Sequence, residues 1–136
     1  MNRFLARYQE LGETFSPENV AVKQCLRVNT LKCASSKLLS LLKAKKVSMQ
    51  AVNFLDNAFY YKSPFSLGAA PEYLQGFYYL QEAASQLPAV SLNPLPGELV
   101  LDMAAAPGSK TTQMAALMKN SGKIIALDSS MARLNS

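Results

Sequence analysis

At 136 residues and 14.8 kDa the chain has room for one compact core and little more. Its 49% hydrophobic and 17% charged residues exclude disorder as the main state, because disordered chains lack the apolar surface that offsets ordering entropy. With no histidine, Ser-His-Asp and Cys-His catalysis and His-ligated zinc are excluded; 14 Lys+Arg against 9 Asp+Glu leave a net charge of +5, which suits a polyanionic partner.

Met1 to Glu10 lack the apolar core and small-residue cleavage site of a secretory signal, so none is expected. No run reaches the roughly 18 apolar residues that cross a bilayer, so no membrane partner is expected and the expected setting is cytoplasmic. Cys25-Leu26-Arg27-Val28-Asn29 reads as a short strand with Leu26 and Val28 on one face and Arg27 on the other. Cys25 and Cys33 have no second pair, so neither a zinc ribbon nor any other metal is expected. A disulfide between them is open on paper, and two buried thiols suit a cytosolic protein better.

Ser35 or Ser36 can cap a helix whose Leu38, Leu39, Leu41 and Leu42 form an apolar stripe. Lys43, Lys45 and Lys46 at its end either complement the helix dipole or contact phosphates. Met49 to Leu55 and Ala58 to Lys62 flank Asp56-Asn57, which reads as a two-residue hairpin turn. The triples Phe59-Tyr60-Tyr61 and Phe77-Tyr78-Tyr79 are half-buried strand residues or base-stacking platforms. Phe77 to Leu80 is a further strand, and Glu82 to Leu92 a helix interrupted by Pro88.

The prolines and glycine of Leu92-Asn93-Pro94-Leu95-Pro96-Gly97 mark a connection between an α+β region at 1–96 and a different unit at 97–136. Glu98 to Asp102 reads as a buried parallel strand ending in a carboxylate. A turn of small residues leads into a helix with Met114, Leu117 and Met118 on one face, stopped by Ser121-Gly122. Lys123 to Asp128 is a second apolar strand ending in a carboxylate. Strand, loop, helix and strand make a βαβ unit, an α/β architecture.

In such a sheet, ligands sit at the carboxyl ends of the strands. The small side chains of Ala104, Ala105, Ala106 and Gly108 admit a ligand close to the backbone, and Pro107 turns the loop between them. A helix starting near Ser109 offers unpaired N–H groups, Lys110 adds a positive charge, and Asp128 stands where ribose hydroxyls are bound. Both G-x-G-x-x-G and G-x-x-x-x-G-K-[ST] are absent. A loop with one glycine suits a nucleoside with an amino-acid tail better than a pyrophosphate, which puts S-adenosylmethionine ahead of NAD or ATP.

Asp102-Met103-Ala104-Ala105-Ala106-Pro107-Gly108-Ser109-Lys110-Thr111-Thr112-Gln113 resembles the cofactor motif of the RNA cytosine-C5 methyltransferases, the NOL1/NOP2/Sun family. Cys25 to Lys32 is similar to that family's R-x-N-T-L-K segment, and Tyr79 to Gln86 resembles its Q-[DE]-x-[AS]-S segment. The resemblance implies the start of a Rossmann-like S-adenosylmethionine-dependent methyltransferase domain at 97–136, behind a small α+β RNA-binding region at 1–96. It implies that Ala104 to Lys110 wrap the cofactor, that Asp128 holds its ribose, and that Arg133 also contacts it. For Asp128 a helix cap, and for Arg133 a solvated helix face, remain open. The family's two cysteine motifs have no match at Cys25 or Cys33, so no catalytic residue is expected in this chain. The expectation is the N-terminal part of a longer tRNA- or rRNA-modifying enzyme, inactive alone and prone to self-association along Ile124 to Leu127. A non-catalytic RNA-binding module is the alternative.

Overall fold

A computed structural model describes residues 3–12, 16 and 21–134. After helix α1 (Arg3–Glu10) come β1 (Cys25–Val28), α2 (Ser35–Ala44), β2 (Ser48–Ala51) and β3 (Ala58–Lys62). A 3-10 turn (Leu67–Ala69), α3 (Pro71–Leu74), β4 (Tyr78–Leu80) and α4 (Ala83–Leu92) follow. The last third holds β5 (Leu99–Asp102), α5 (Ser109–Leu117), β6 (Lys123–Ala126) and α6 (Met131–Leu134). No helix among the described residues is long and apolar enough to cross a membrane.

β1 is interior in an antiparallel sheet of order β2-β3-β1-β4, which explains why all four of its residues are buried. One face carries Leu26, Val28 and Tyr78 against Leu38 and Leu42 of α2. The other carries Cys25 and Ala58 against Val52, Leu55 and Ala83. Arg27 does lie on the face opposite Leu26 and Val28, yet it is only 5% exposed, because that face is covered too. The second sheet pairs β5 and β6 in parallel from Leu99↔Lys123 to Asp102↔Ala126, as the βαβ reading requires. Val100, Met114 and Met118 pack there with Ala89 of α4, so α4 lies against α5 and joins the two sheets.

Several local expectations change. The hairpin turn is not two residues: β2 ends at Ala51, and Val52 and Leu55 tuck into the core, drawing residues 52–57 into a longer loop that ends on Asn57 at φ +58°. Neither serine caps α2; Ala34 precedes it without a side-chain bond, and the Ser35 hydroxyl donates to Asn57 Oδ1 at 2.6 Å instead. Lys45 is neither a bare dipole partner nor a free phosphate contact, because its ammonium pairs with the buried Glu72 carboxylate at 2.5 Å. Helix α4 runs through Pro88 uninterrupted; Pro88 and Ala84 are both exposed, so water can meet the carbonyl that loses its partner. Left-handed Lys119 and Asn120 end α5 before Ser121 is reached, and Leu117 is 37% exposed beside buried Met114 and Met118. β5 is not buried on both faces, since Leu99 is 68% and Leu101 54% exposed.

All six residues of the two aromatic triples are of intermediate or full burial; five of them lie in β3 and β4, while Phe77 sits in the bend just before β4, so the strand expected from Phe77 starts one residue later. Tyr78 is nearly closed off and donates its hydroxyl to the Leu67 carbonyl, while burial pushes its pKa up to about 12.

Candidate functional site

The βαβ loop leaves β5 at Asp102, whose carboxylate at once ties down both limbs of the turn. It accepts from the Ala104 N–H at 3.2 Å and from the Thr111 hydroxyl at 2.6 Å. Ala105 still pairs like a strand residue, donating to the Leu127 carbonyl, and Ala105 and Ala106 are both buried. The chain then turns at Pro107 and reaches Gly108 at φ +95°, a conformation that L side chains rarely adopt. A Cβ built on Gly108 would meet nothing within 4 Å, so the space beside this glycine is open. Helix α5 starts immediately after it with no side-chain cap, and Ser109 and Lys110 stand in that first turn. Its first i→i−4 bond runs from the Thr112 N–H to the Gly108 carbonyl, so the N–H groups ahead of it have no partner within the helix.

Asp128 lies two residues past β6 rather than in it, and its carboxylate closes over the loop. Oδ2 accepts from the Ala106 N–H at 3.1 Å and Oδ1 from the Ser130 N–H at 3.0 Å, with the Arg133 guanidinium 3.7 Å away. The Ser130, Ala106 and Arg133 groups together hold this carboxyl below the ordinary carboxylate range, so it is charged at neutral pH. Arg133 donates to the Ala106 carbonyl at 2.6 Å. Residues 104 to 110, Asp128 and Arg133 therefore converge on one loop. Asp128 does not itself cap α6: it accepts only the Ser130 N–H one residue ahead of the helix, and the Ser130 hydroxyl takes the Arg133 N–H at 3.4 Å. Arg133 braces the loop backbone with part of its side chain in water, 59% exposed.

A second set of contacts comes from residues the sequence did not mark as functional. Arg27 Nε donates to Gln81 Oε1 at 3.0 Å, and Nη2 donates to the Ser109 carbonyl at 3.2 Å and to Thr112 Oγ1 at 3.0 Å. The Tyr79 hydroxyl donates to the Pro107 carbonyl at 3.3 Å. Gln81 Nε2 donates to Gln113 Oε1 at 3.2 Å, and Gln113 Nε2 to the Gln86 carbonyl at 3.0 Å. Burial lowers the Arg27 pKa to about 10, against the pull of Tyr79, and leaves the guanidinium charged at neutral pH. The available signal was that Arg27 belongs to the R-x-N-T-L-K segment, and Gln81 and Gln86 to Gln81-Glu82-Ala83-Ala84-Ser85-Gln86. Asn29 and Lys32 of the first segment do a different job: they hydrogen-bond the Gly76 and Gln75 carbonyls and fix the approach to β4.

The two cysteines are free and buried. Burial raises the Cys25 pKa, with Gln86 opposing it, which is the reverse of what activates a thiol as a nucleophile.

Comparison with known proteins gives two family matches. Residues 1–83 match the N-terminal domain of 16S rRNA methyltransferase RsmF, and residues 89–136 match 16S rRNA methyltransferase RsmB/F. Ribosomal RNA small subunit methyltransferase F of Shewanella loihica is 40% identical over 120 residues, which are 83% of this chain and 25% of that protein. The 25S rRNA (cytosine-C(5))-methyltransferase nop2 of Schizosaccharomyces pombe is 38% identical over 97% of this chain and 23% of its own length. A methyltransferase homolog protein from Pyrococcus horikoshii superposes with a TM-score of 0.81 at 35% identity, over 99% of this chain and 50% of that one. The chain thus spans about a quarter of the length of the curated relatives it matches.

Proposed function

The chain belongs to the RsmF and RsmB/F family of 16S rRNA methyltransferases, and from that premise we propose that the protein carrying it methylates carbon 5 of a cytosine in ribosomal RNA with S-adenosylmethionine. Ribosomal RNA is preferred to transfer RNA because the similar proteins from Shewanella and fission yeast are both named for ribosomal RNA. In this reading residues 1–96 face the RNA and residues 97–136 open the methyltransferase domain, in a cytoplasmic protein.

One observation carries the cofactor assignment. The Ala106 backbone is gripped on both sides, its N–H by Asp128 and its C=O by Arg133, two residues before a positive-φ glycine and an uncapped helix start. That arrangement fits a nucleoside with a charged amino-acid tail. Ala104 to Gly108 give it a floor without bulky side chains, and Ser109 and Lys110 give its carboxylate N–H groups and a cation. Asp128 is the acceptor proposed for ribose hydroxyls; its carboxylate, 3% exposed, already accepts the Ala106 and Ser130 N–H groups, and a ribose would share it with them. Bound there, S-adenosylmethionine supplies an electrophilic methyl group. The chain's own contribution is to bind and orient it; its buried thiols do not provide the attacking group.

The test is calorimetry of the complete protein with S-adenosylhomocysteine and with NAD, paired with transfer of tritiated methyl to ribosomal RNA transcripts. Binding of S-adenosylhomocysteine and label at C5 of cytosine are expected. Binding of NAD alone would overturn the cofactor, and cofactor binding without methyl transfer would favour the RNA-binding module.

A further inference from the structure

Arg27 is a charged side chain in the middle strand of a sheet, 5% exposed. A buried guanidinium survives only where its donors are used. One of its bonds stays near its own sheet, on Gln81; the other two cross to the start of α5, on the Ser109 carbonyl and the Thr112 hydroxyl. That hydroxyl passes the contact on by donating to the Gly108 carbonyl at 2.8 Å. Tyr79 stands opposite Arg27 in the β1–β4 register, with the guanidinium 6.0 Å from its ring centre, and its own hydroxyl takes the Pro107 carbonyl. The carbonyls of Pro107 and Ser109 are therefore held directly from the side of the N-terminal sheet, while that of Gly108 is held within α5 by the Thr112 N–H and by the Thr112 hydroxyl that Arg27 engages.

Peptide groups are planar and trans, so a carbonyl pinned in one direction aims the following N–H the opposite way. Holding the Ser109 carbonyl from the N-terminal sheet, and the Gly108 carbonyl through the Thr112 hydroxyl that Arg27 engages, points the Lys110 and Ser109 N–H groups away from it. We propose that Arg27, with Tyr79, is a positioning residue for the cofactor loop, aiming the first-turn N–H groups of α5 from the neighbouring sheet. The inference rests on the cofactor reading above and adds that this affinity is set in part by the N-terminal region.

The test uses the complete protein and the variants Tyr79→Phe, Arg27→Lys and Arg27→Gln. Removing a neutral bond is expected to weaken S-adenosylhomocysteine about threefold in Tyr79→Phe, and removing the charged donor about tenfold or more in Arg27→Gln. Arg27→Lys, which keeps the charge but not the fork, falls between them. The KM for S-adenosylmethionine should rise while kcat at saturation changes little. In the ligand-free protein, amide hydrogen exchange across 105–112 should quicken in Arg27→Gln. A lower Tm with unchanged cofactor affinity and unchanged exchange at those amides would mean a merely structural arginine and would overturn the proposal. Should Arg27→Gln fail to fold, Tyr79→Phe decides by the same readouts. Should the unmodified protein bind no S-adenosylhomocysteine, the cofactor reading falls, and unchanged exchange in the variants would sink the positioning role as well.

Discussion

Two glycines of the βαβ unit share a backbone conformation and differ in what surrounds them, which separates stability from ligand binding. Gly108 has φ +95° and Gly122 φ +112°. An alanine at either position adopts a left-handed conformation at a cost of about 1–2 kcal/mol. At Gly108 nothing more is added, because the new methyl group meets no atom within 4 Å. At Gly122 it would drive into the Glu98 carbonyl and the Met118 side chain. The same Glu98 carbonyl accepts the Lys123 N–H at 2.9 Å where β6 begins, so relief requires moving the start of the sheet. Overpacking of this kind adds about 1–3 kcal/mol, which brings Gly122→Ala to about 2–5 kcal/mol against about 1–2 for Gly108→Ala. Binding should rank the other way. The Gly108 methyl group occupies the space proposed for the ligand, so S-adenosylhomocysteine should weaken about tenfold or more, equivalent to about 1.4 kcal/mol. Gly122→Ala should leave the affinity of the folded protein within about threefold. Thermal melting and calorimetry on the complete protein read both. Equal destabilisation by the two variants, or undiminished binding by Gly108→Ala, would refute the reasoning.

Leu38 is fully buried between α2 and the antiparallel sheet, and Leu38→Ala should cost about 2–5 kcal/mol in a urea melt. The Glu72 carboxyl is held below its ordinary pKa chiefly by its hydrogen bond from Lys45. A depressed folded pKa contributes stability that is present above the unfolded value of about 4.3 and is lost as the pH falls through the folded value. Glu72→Gln should therefore flatten the acid limb of the stability profile in that range, with little change in slope above pH 6. Leu101 and Ile125, neighbours in the parallel register, are 54% and 49% exposed. Replacing both with lysine should reduce concentration-dependent light scattering of the 136-residue chain, and unchanged scattering would show that another surface associates.

The elements best read from sequence were those that need only local information. The run from Leu99 to Asp102, the small-residue turn and the run from Lys123 to Ala126 are separated by a helix-length segment, and the structure pairs them in parallel. The turn itself was legible because Pro107-Gly108 breaks the chain between strand and helix, and Gly108 adopts a positive φ there. The Asp56-Asn57 turn misled because its chemistry suits a tight hairpin, while Val52 and Leu55 gain more by reaching the core. Arg27 was illegible for another reason. A charged residue alternating with apolar ones on a strand reads as a solvent-facing position, and its partners lie 54 and 85 residues away in sequence. Gln113 hides in the same way, an amide within a helix whose partners sit on Gln81 and Gln86.

The polar seam between the sheets is itself a physical choice. Ala89, Val100, Met114 and Met118 already pack α4, α5 and β5 together, and side chains of that kind tolerate small slips with modest cost. Arg27, Gln81, Gln86 and Gln113 do not, because each buried donor has a specific acceptor, and a shift of α5 by a fraction of a turn would leave several unmatched. An apolar seam of the same size could match the stability but would hold α5 in register less strictly. Strict register matters here because the first turn of α5 is also the wall of the candidate cofactor loop. The Arg27–Thr112 contact and the Gln81–Gln113 contact fix consecutive residues of that helix, four and five positions past Gly108. A site whose N–H groups must meet a ligand within a few tenths of an ångström gains from being anchored by directional bonds rather than by packing alone.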